Sequence, residues 1–349
     1  MSEGPFGNVG SGPSAATPLS DRPAPAPRGR RSIWATLATI LLVLSALGNL
    51  ALLVLLGLVF GLVESLGGAD SDGVRERVLE KGTTRDKVAV IRIEGIIDEY
   101  MVEEAKKQIT RASQDKRVKA VILQINSPGG GLTASDTLHH LLKTDLEEKP
   151  IVASMDSVAA SGGYYVACAA KKIVAQPTTI TGSIGVIGHV FFVNELMKDK
   201  LGVVPVTIKM GEQKDWPNMF TQRGLPQEQH QYLMDTFLVP GYEKFLEVVR
   251  QARGYEEAEA RRVATGRAFM APEAKDLRLV DEIGYFERAV ELAQELAGIS
   301  GAKVVEYRRI PTLADLLVLE SGAKQVFSLS PEKIAGLGGF RVMYLWTGY

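Results

Sequence analysis

The longest pattern along the chain is an apolar one: from Ile33 to Val63 no charged residue occurs, and Leu, Val and Ala dominate. A helix needs about 20 such residues to cross a bilayer core, so the stretch predicts a membrane span. It is at least twice the roughly 7–15-residue core of a cleavable signal, and no clear Ala-x-Ala site follows, which favours an uncleaved anchor. Arg22, Arg28, Arg30 and Arg31 precede it, whereas Glu64, Asp70 and Asp72 follow. The positive-inside rule therefore puts the N-terminus in the cytoplasm and everything after the span outside.

Beyond the anchor the period changes. Residues 64–86 are aperiodic and read as a linker, and Lys87–Ile97 is an apolar run that reads as a strand buried on both faces. Residues 101–113 read as a helix with a charged outer face. Strand and helix signals then alternate through 118–125, 132–147, 150–155, 161–171, 172–176, 184–189, 193–201 and 203–209, which argues for βαβ units and a mainly parallel sheet. Pro226 to Arg253 suits amphipathic helix, with Pro240 forcing a kink or break, and 256–298 reads as further helices. After Ile299 the tail ends in an apolar run, residues 340–346, which could be an edge strand or an oligomer contact. The division is thus a disordered basic tail (1–32), a transmembrane anchor (33–63), a linker (64–86), a catalytic domain (87–298) and a tail (299–349).

Composition removes several classes of function. The 349 residues carry a formal net charge of −1, which leaves no electrostatic footprint for nucleic acid. The single cysteine, Cys168, excludes an internal disulfide and a cysteine-based zinc site, and it reads as a buried small hydrophobe. Gly182, Gly185 and Gly188 have neither dinucleotide-fingerprint nor phosphate-loop spacing. No cofactor and no metal is expected.

The chemistry concentrates between Val118 and Gly188. One strand breaks at Ser127-Pro-Gly-Gly-Gly131, and the next runs into Ala159-Ala-Ser-Gly-Gly-Tyr-Tyr165. A strand, a glycine-rich turn and a helix present free backbone N–H groups at a sheet edge, where the helix dipole favours negative charge. Such a turn can hold an oxyanion, with Gly129 and Gly130 as donors, and Gly162 leaves room for a substrate backbone beside Ser161, the candidate nucleophile. Either turn alone is an ordinary tight turn or helix cap; two after successive buried strands are less ordinary.

A serine needs a base. Of the four histidines, His139 and His140 lie midway along a helix and His230 lies in an amphipathic one; His189 alone remains a candidate. Lysine is the other solution, but holding it neutral at pH 7 costs roughly 4.6 kcal/mol, so it must be desolvated and held by an acceptor. The residues do not say which lysine.

Asn126–Gly131, Val158–Tyr165, Thr181–Ile187 and Ile208–Asp215 together resemble the signal peptide peptidase A family, a branch of the ClpP/crotonase superfamily with repeated ββα units. The resemblance spans roughly 87–290 and implies an α/β fold with Ser161 as nucleophile, Lys214 as base, Ser183 orienting that lysine, and Gly129 and Gly130 as oxyanion donors. Met210 and Arg278 depart from the family pattern, and bear only on loop shape. Relatives with one catalytic domain form dome-like rings in which neighbouring subunits supply serine and lysine. The resemblance therefore implies a homo-oligomer, an octamer, facing signal-peptide or other apolar substrates at the inner membrane. Two other readings stay open: a crotonase-like acyl-CoA enzyme, which shares the oxyanion hole but lacks a nucleophile, and a non-catalytic membrane scaffold.

Overall fold

The computed structural model describes residues 33–67, 74–309 and 341–348, so the predicted basic tail lies outside the described residues. The chain divides into two units, Met1–Gly67 and Gly68–Tyr349. The first holds α1 (Ile33–Gly67), whose segment Ile33–Val59 has a mean hydropathy of 2.5 and is long and apolar enough to cross a membrane.

The second unit is built on a sheet. In chain order its elements are β1 (Val74–Glu80), β2 (Lys87–Ile97), α2 (Glu99–Gln114), β3 (Val118–Gly131), α3 (Leu132–Asp145), β4 (Ile151–Ala160), α4 (Gly162–Ala167), β5 (Lys172–Ala175), β6 (Ile180–Gly182) and β7 (Ile187–His189). They continue with α5 (Gln227–Leu233), α6 (Val239–Arg253), α7 (Glu257–Val263), β8 (Ala268–Met270), α8 (Ala271–Asp276), β9 (Glu282–Ile283), α9 (Phe286–Ala297), β10 (Lys303–Arg309) and β11 (Arg341–Leu345). The main strand order is β1-β10-β2-β3-β4-β5-β9, parallel throughout except for β1.

The alternation along these strands explains the layers. Ala89, Ile91, Ile93, Val121, Leu123 and Ile125 pack on one face, in one cluster with the buried sides of α2, α3, α4 and α6. Val88, Val90, Ala120, Ile122 and Val152 point the other way onto Ala289, Val290 and Ala293 of α9. Side chains on a strand alternate faces with period two, so a sheet covered on both sides reads as a continuous apolar run.

The strands do not end with the parallel sheet. Register breaks at Glu94/Ile96 in β2 and Ile125/Ser127 in β3 carry the chain into a second group of strands, where Val158–Ala160 pairs with β6 and β6 with β8. There β11 lies between β3 and β7, antiparallel to both. The two glycine turns are at this end.

Several expectations need correction. Residues 74–80, read as linker, form β1 on β10; their charged pattern hides a strand because only Val74 is buried. Residues 303–309, assigned to a tail, are a strand between β1 and β2. The apolar run at the end is an inserted strand rather than an edge. Residues 203–209 form no strand: most of their apolar side chains face solvent, and no described strand pairs with them. The helix at 161–171 stops at Ala167, and the break near Pro240 is a widened π turn, Met234–Leu238, after which the proline fits the first turn of α6. Arg278 takes a left-handed φ of 59°, held by Glu259 and by stacking over Tyr255, which explains why glycine or asparagine suits that turn.

Lys87 opens β2 buried, its Nζ 2.6 Å from Glu76 Oε2 of β1 and 2.8 Å from Asp115 Oδ2 after α2. The lysine and the amide of Arg117 hold the Asp115 carboxyl down at about 2 despite the opposing effect of burial. Removing the lysine strands two carboxylates, one of them nearly buried. Lys87→Met is expected to cost about 3 kcal/mol, read as a lowered denaturant midpoint, whereas the exposed Lys107→Met costs under about 0.5 kcal/mol.

Candidate active site

Ser161 stands at the junction of β4 and α4 with φ 53° and ψ −117°, a conformation that side chains rarely adopt. Strain of this kind costs about 1–3 kcal/mol and persists only where the surroundings over-determine it. Here they do. The Ser161 N–H donates to the Gly182 carbonyl at 2.8 Å, and the Ser161 carbonyl accepts from the Tyr165 N–H at 2.9 Å. The side chain is 1% exposed.

Close backbone approach explains the glycines. A Cβ on Gly163 would stand 2.7 Å from the Ser127 carbonyl oxygen, and one on Gly162 would stand 2.5 Å from Ser135 Oγ. At Gly129, with φ 102°, a Cβ would stand 2.6 Å from the Gly162 nitrogen and 2.0 Å from the Tyr344 carbonyl oxygen. The glycine end of β3 and the start of α4 therefore touch backbone to backbone.

Within the turn the Gly129 N–H donates to Ser127 Oγ at 3.1 Å. Gly130 pairs with Tyr344 of β11. The start of α4 has no side-chain cap, which leaves its first N–H groups without an intrahelical partner. The buried Ser127 and Ser135, the latter donating to the Gly131 carbonyl at 2.9 Å, brace the turn; the sequence reading passed over both.

Ser183 lies on the other side of Ser161. It too has a left-handed φ, 49°, and its N–H donates to the Arg267 carbonyl at 2.8 Å. Ser161 and Ser183 line one cavity of about 370 Å³ together with Val186, Tyr242, Thr265 and Leu345. The structure thus brings together Ser161, Ser183, Gly129, Gly130 and Gly162.

Lys214 is apart from them. It sits exposed in the turn Glu212–Asp215 and does not line the Ser161 cavity. Its neighbour Asp215 is engaged with Lys209 Nζ at 2.5 Å and Asn218 Nδ2 at 2.9 Å. Nearby, Val206, Ile208 (96% exposed) and Met210 (95%) face solvent. His189, the histidine kept as a possible base, is exposed and stacks on Phe191.

Tyr165 of α4 donates to Asp136 Oδ1 at 2.5 Å and meets the His139 ring edge-on at 5.3 Å. Loss of hydration pushes His139 down to about 4; Asp136 opposes this, and Lys143 and Lys244 add to it.

Residues 143–300 match Peptidase family S49, and residues 76–180 match Clp protease. A protein of Enterococcus faecium named signal peptide peptidase SppA is 32% identical over 254 residues, covering 69% of this chain and 73% of that protein. Protease 4 of Salmonella typhi is 34% identical across 66% of this chain and 36% of its own, and the chloroplastic serine protease SPPA of Arabidopsis thaliana is 34% identical across 70% and 38%. The chain thus spans little more than a third of those two relatives. ClpP1 from Listeria monocytogenes aligns with 56% of this chain and 91% of its own at 18% identity and a TM-score of 0.36.

The sheet and the matches to relatives define an α/β serine-type peptidase, part of which, residues 76–180, matches Clp protease. The chain belongs to peptidase family S49.

Two outcomes test this geometry. Gly129→Ala combines a forbidden φ with backbone overlap, so it is expected to lower stability by at least about 2 kcal/mol in a thermal melt. His139 is neutral in both folded and unfolded chains above pH 6.5, and between 6.5 and about 4 only the unfolded chain takes the proton. Stability is therefore expected to fall by about 2 kcal/mol as pH drops through that window, and His139→Leu to flatten the fall.

Proposed function

We propose that the chain is a membrane-anchored serine endopeptidase with a Ser161–Lys214 dyad, shared between copies, that degrades residual signal peptides and other apolar peptides. The observation that carries the proposal is Ser161, held at a strained turn beside the glycine loop and in one cavity with Ser183. Lys214, supplied by a neighbouring copy, takes the Ser161 proton as the oxygen attacks the peptide carbonyl. Gly130 and Gly162 N–H groups hold the oxyanion that forms. Gly129 shapes the turn, since its own N–H is committed to Ser127. The protonated lysine then gives its proton to the departing amine as the C–N bond breaks, and water, deprotonated by the same lysine, releases the acyl group from Ser161.

Ser183 is the acceptor that holds the incoming amine. Burial between copies supplies the desolvation that a neutral lysine needs, and the exposed apolar side chains around Lys214 suit such a contact. The assembly is a homo-oligomer, an octamer, with α1 in the bilayer of the inner membrane, residues 1–32 cytoplasmic, and the catalytic unit that follows α1 outside the cytoplasm. No cofactor takes part.

The test uses the full chain in detergent with an unstructured apolar peptide. Ser161→Ala and Lys214→Ala are each expected to lose at least about a thousandfold in kcat/KM, and Ser161→Ala to lose fluorophosphonate labelling. Co-assembled in equal amounts, the two dead variants are expected to recover about one quarter of wild-type activity, the share of sites that pair an intact serine with an intact lysine. Full activity in Lys214→Ala overturns the dyad.

A further inference from the structure

The turn that carries Lys214 is tied to its surroundings by one side chain, that of Asn218, a residue only 8% exposed. Its Nδ2 donates to Thr207 Oγ1 and to Asp215 Oδ2, both at 2.9 Å. Its Oδ1 accepts from the N–H groups of Phe220 and Thr221, at 3.0 and 3.1 Å. The backbone of the same residue donates to Gln222 Oε1 at 3.0 Å and accepts from the Gln222 N–H at 3.1 Å. A side-chain amide has two donor hydrogens and an oxygen with two lone pairs, so every position is filled. Thr207, the Lys214 turn and residues 218–222 are thus joined within one chain.

The same bonds decide where the Asp215 charge goes. Asp215 follows Lys214 directly, and a carboxylate within about 4–6 Å of an amine favours the protonated amine. That works against a lysine required to accept a proton. Both Asp215 oxygens are taken elsewhere, Oδ1 by Lys209 Nζ at 2.5 Å and Oδ2 by Asn218. Lys209 Nζ also donates to the Glu212 carbonyl at 2.6 Å, which holds its cation against the turn. The bond from Asn218, and after it the bond from Lys209, keeps the Asp215 carboxyl below the usual carboxylate range, so this group is ionised at neutral pH. Of the other charged groups nearby, Glu212 is exposed and Arg223 pairs with Glu195 at 3.6 Å. The serine side adds no charge: among the residues lining its cavity only Tyr242 titrates, and its hydroxyl donates to the Ala264 carbonyl at 2.7 Å.

We propose that Lys209 and Asn218 are positioning residues for the Ser161–Lys214 dyad, which bind the Asp215 carboxylate and keep its charge from Lys214 so that the lysine can lose its proton. The proposal rests on the dyad reading and adds why the carboxylate next to the base does not hold it protonated. Neither residue touches substrate. Lys209 and Asp215 act on Lys214 as a neutral pair, because their separate effects have opposite signs.

The experiment follows kcat/KM against pH for the full chain in detergent with an unstructured apolar peptide. Lys209→Met leaves the Asp215 charge unpaired beside Lys214, and the acid-side midpoint is expected to rise by about one pH unit. Asp215→Asn leaves the Lys209 cation unopposed, and the midpoint is expected to fall by about the same amount. The double variant Lys209→Met, Asp215→Asn has no net charge at these two positions, like the wild type, and its midpoint is expected to return to within about 0.3 unit of the wild-type value. Asn218→Asp keeps the bonds to Phe220 and Thr221 but replaces the donor with a second carboxylate, so its midpoint is expected to rise as well. A merely structural role gives a double variant at least as impaired as either single one, with no opposed shifts. Unmoved midpoints in the single variants, or a double variant that does not return, overturn the proposal. The same order is expected without turnover in chains that also carry Ser161→Ala, from the pH dependence of Lys214 acetylation by acetic anhydride, read by mass spectrometry. Equal labelling midpoints in all these chains overturn the positioning, whereas an active Lys214→Ala chain overturns the dyad instead.

Discussion

The site depends on one steric constraint: the glycine end of β3 and the start of α4 meet with no room for side chains between them. Gly129, Gly162 and Gly163 are each within 2.0–2.7 Å of a neighbouring atom at the place where a Cβ would be. That contact, together with the bond from Ser161 to the Gly182 carbonyl, fixes the serine at its positive φ. The strain is sustained by the parallel sheet beneath, whose strands are buried on both faces and cannot shift register without exposing their apolar set. A reactive geometry of modest cost is thus carried by a large and unremarkable core.

The same packing brings α4 against α3 and α6, and the aromatic cluster of Tyr165, Phe245 and Tyr344 forms where the three meet β11. Polar groups in that region are committed: Tyr165 to Asp136, Tyr344 to Gly241, Ser135 to Gly131. Committed partners leave this aromatic cluster few ways to rearrange. The segment from Phe191 to Met210 is built oppositely. Its apolar side chains are exposed and its backbone is largely without ladder partners, as expected of a surface completed by another molecule.

Much of the architecture is legible in the sequence, because period and turn chemistry are local. The run from Lys87 to Ile97, the alternation through Val118 to Ala175 and the paired small-residue turns identify the parallel sheet, its helices and the turn that carries Ser161 without coordinates. The uninterrupted apolar stretch gives α1. The four motifs that resemble the family add Lys214 and Ser183 as candidates, which no periodicity marks.

What local pattern could not supply is pairing between distant segments. β1 and β10 find each other across more than two hundred residues, and β1 is too polar to declare itself a strand until its partner is known. β11 reads as an apolar end of the chain, and only the folded molecule inserts it between Gly129–Gly131 and Ile187–His189, with Tyr344 in the aromatic socket. Conversely, residues 203–209 have a strand's composition and no strand, because no described strand forms a ladder with them. The sequence by itself determined which residues could be strands, turns and nucleophile, since those follow from backbone sterics and side-chain period. Tertiary structure alone decided which strand lies beside which, because pairing energy belongs to two segments together and is written in neither.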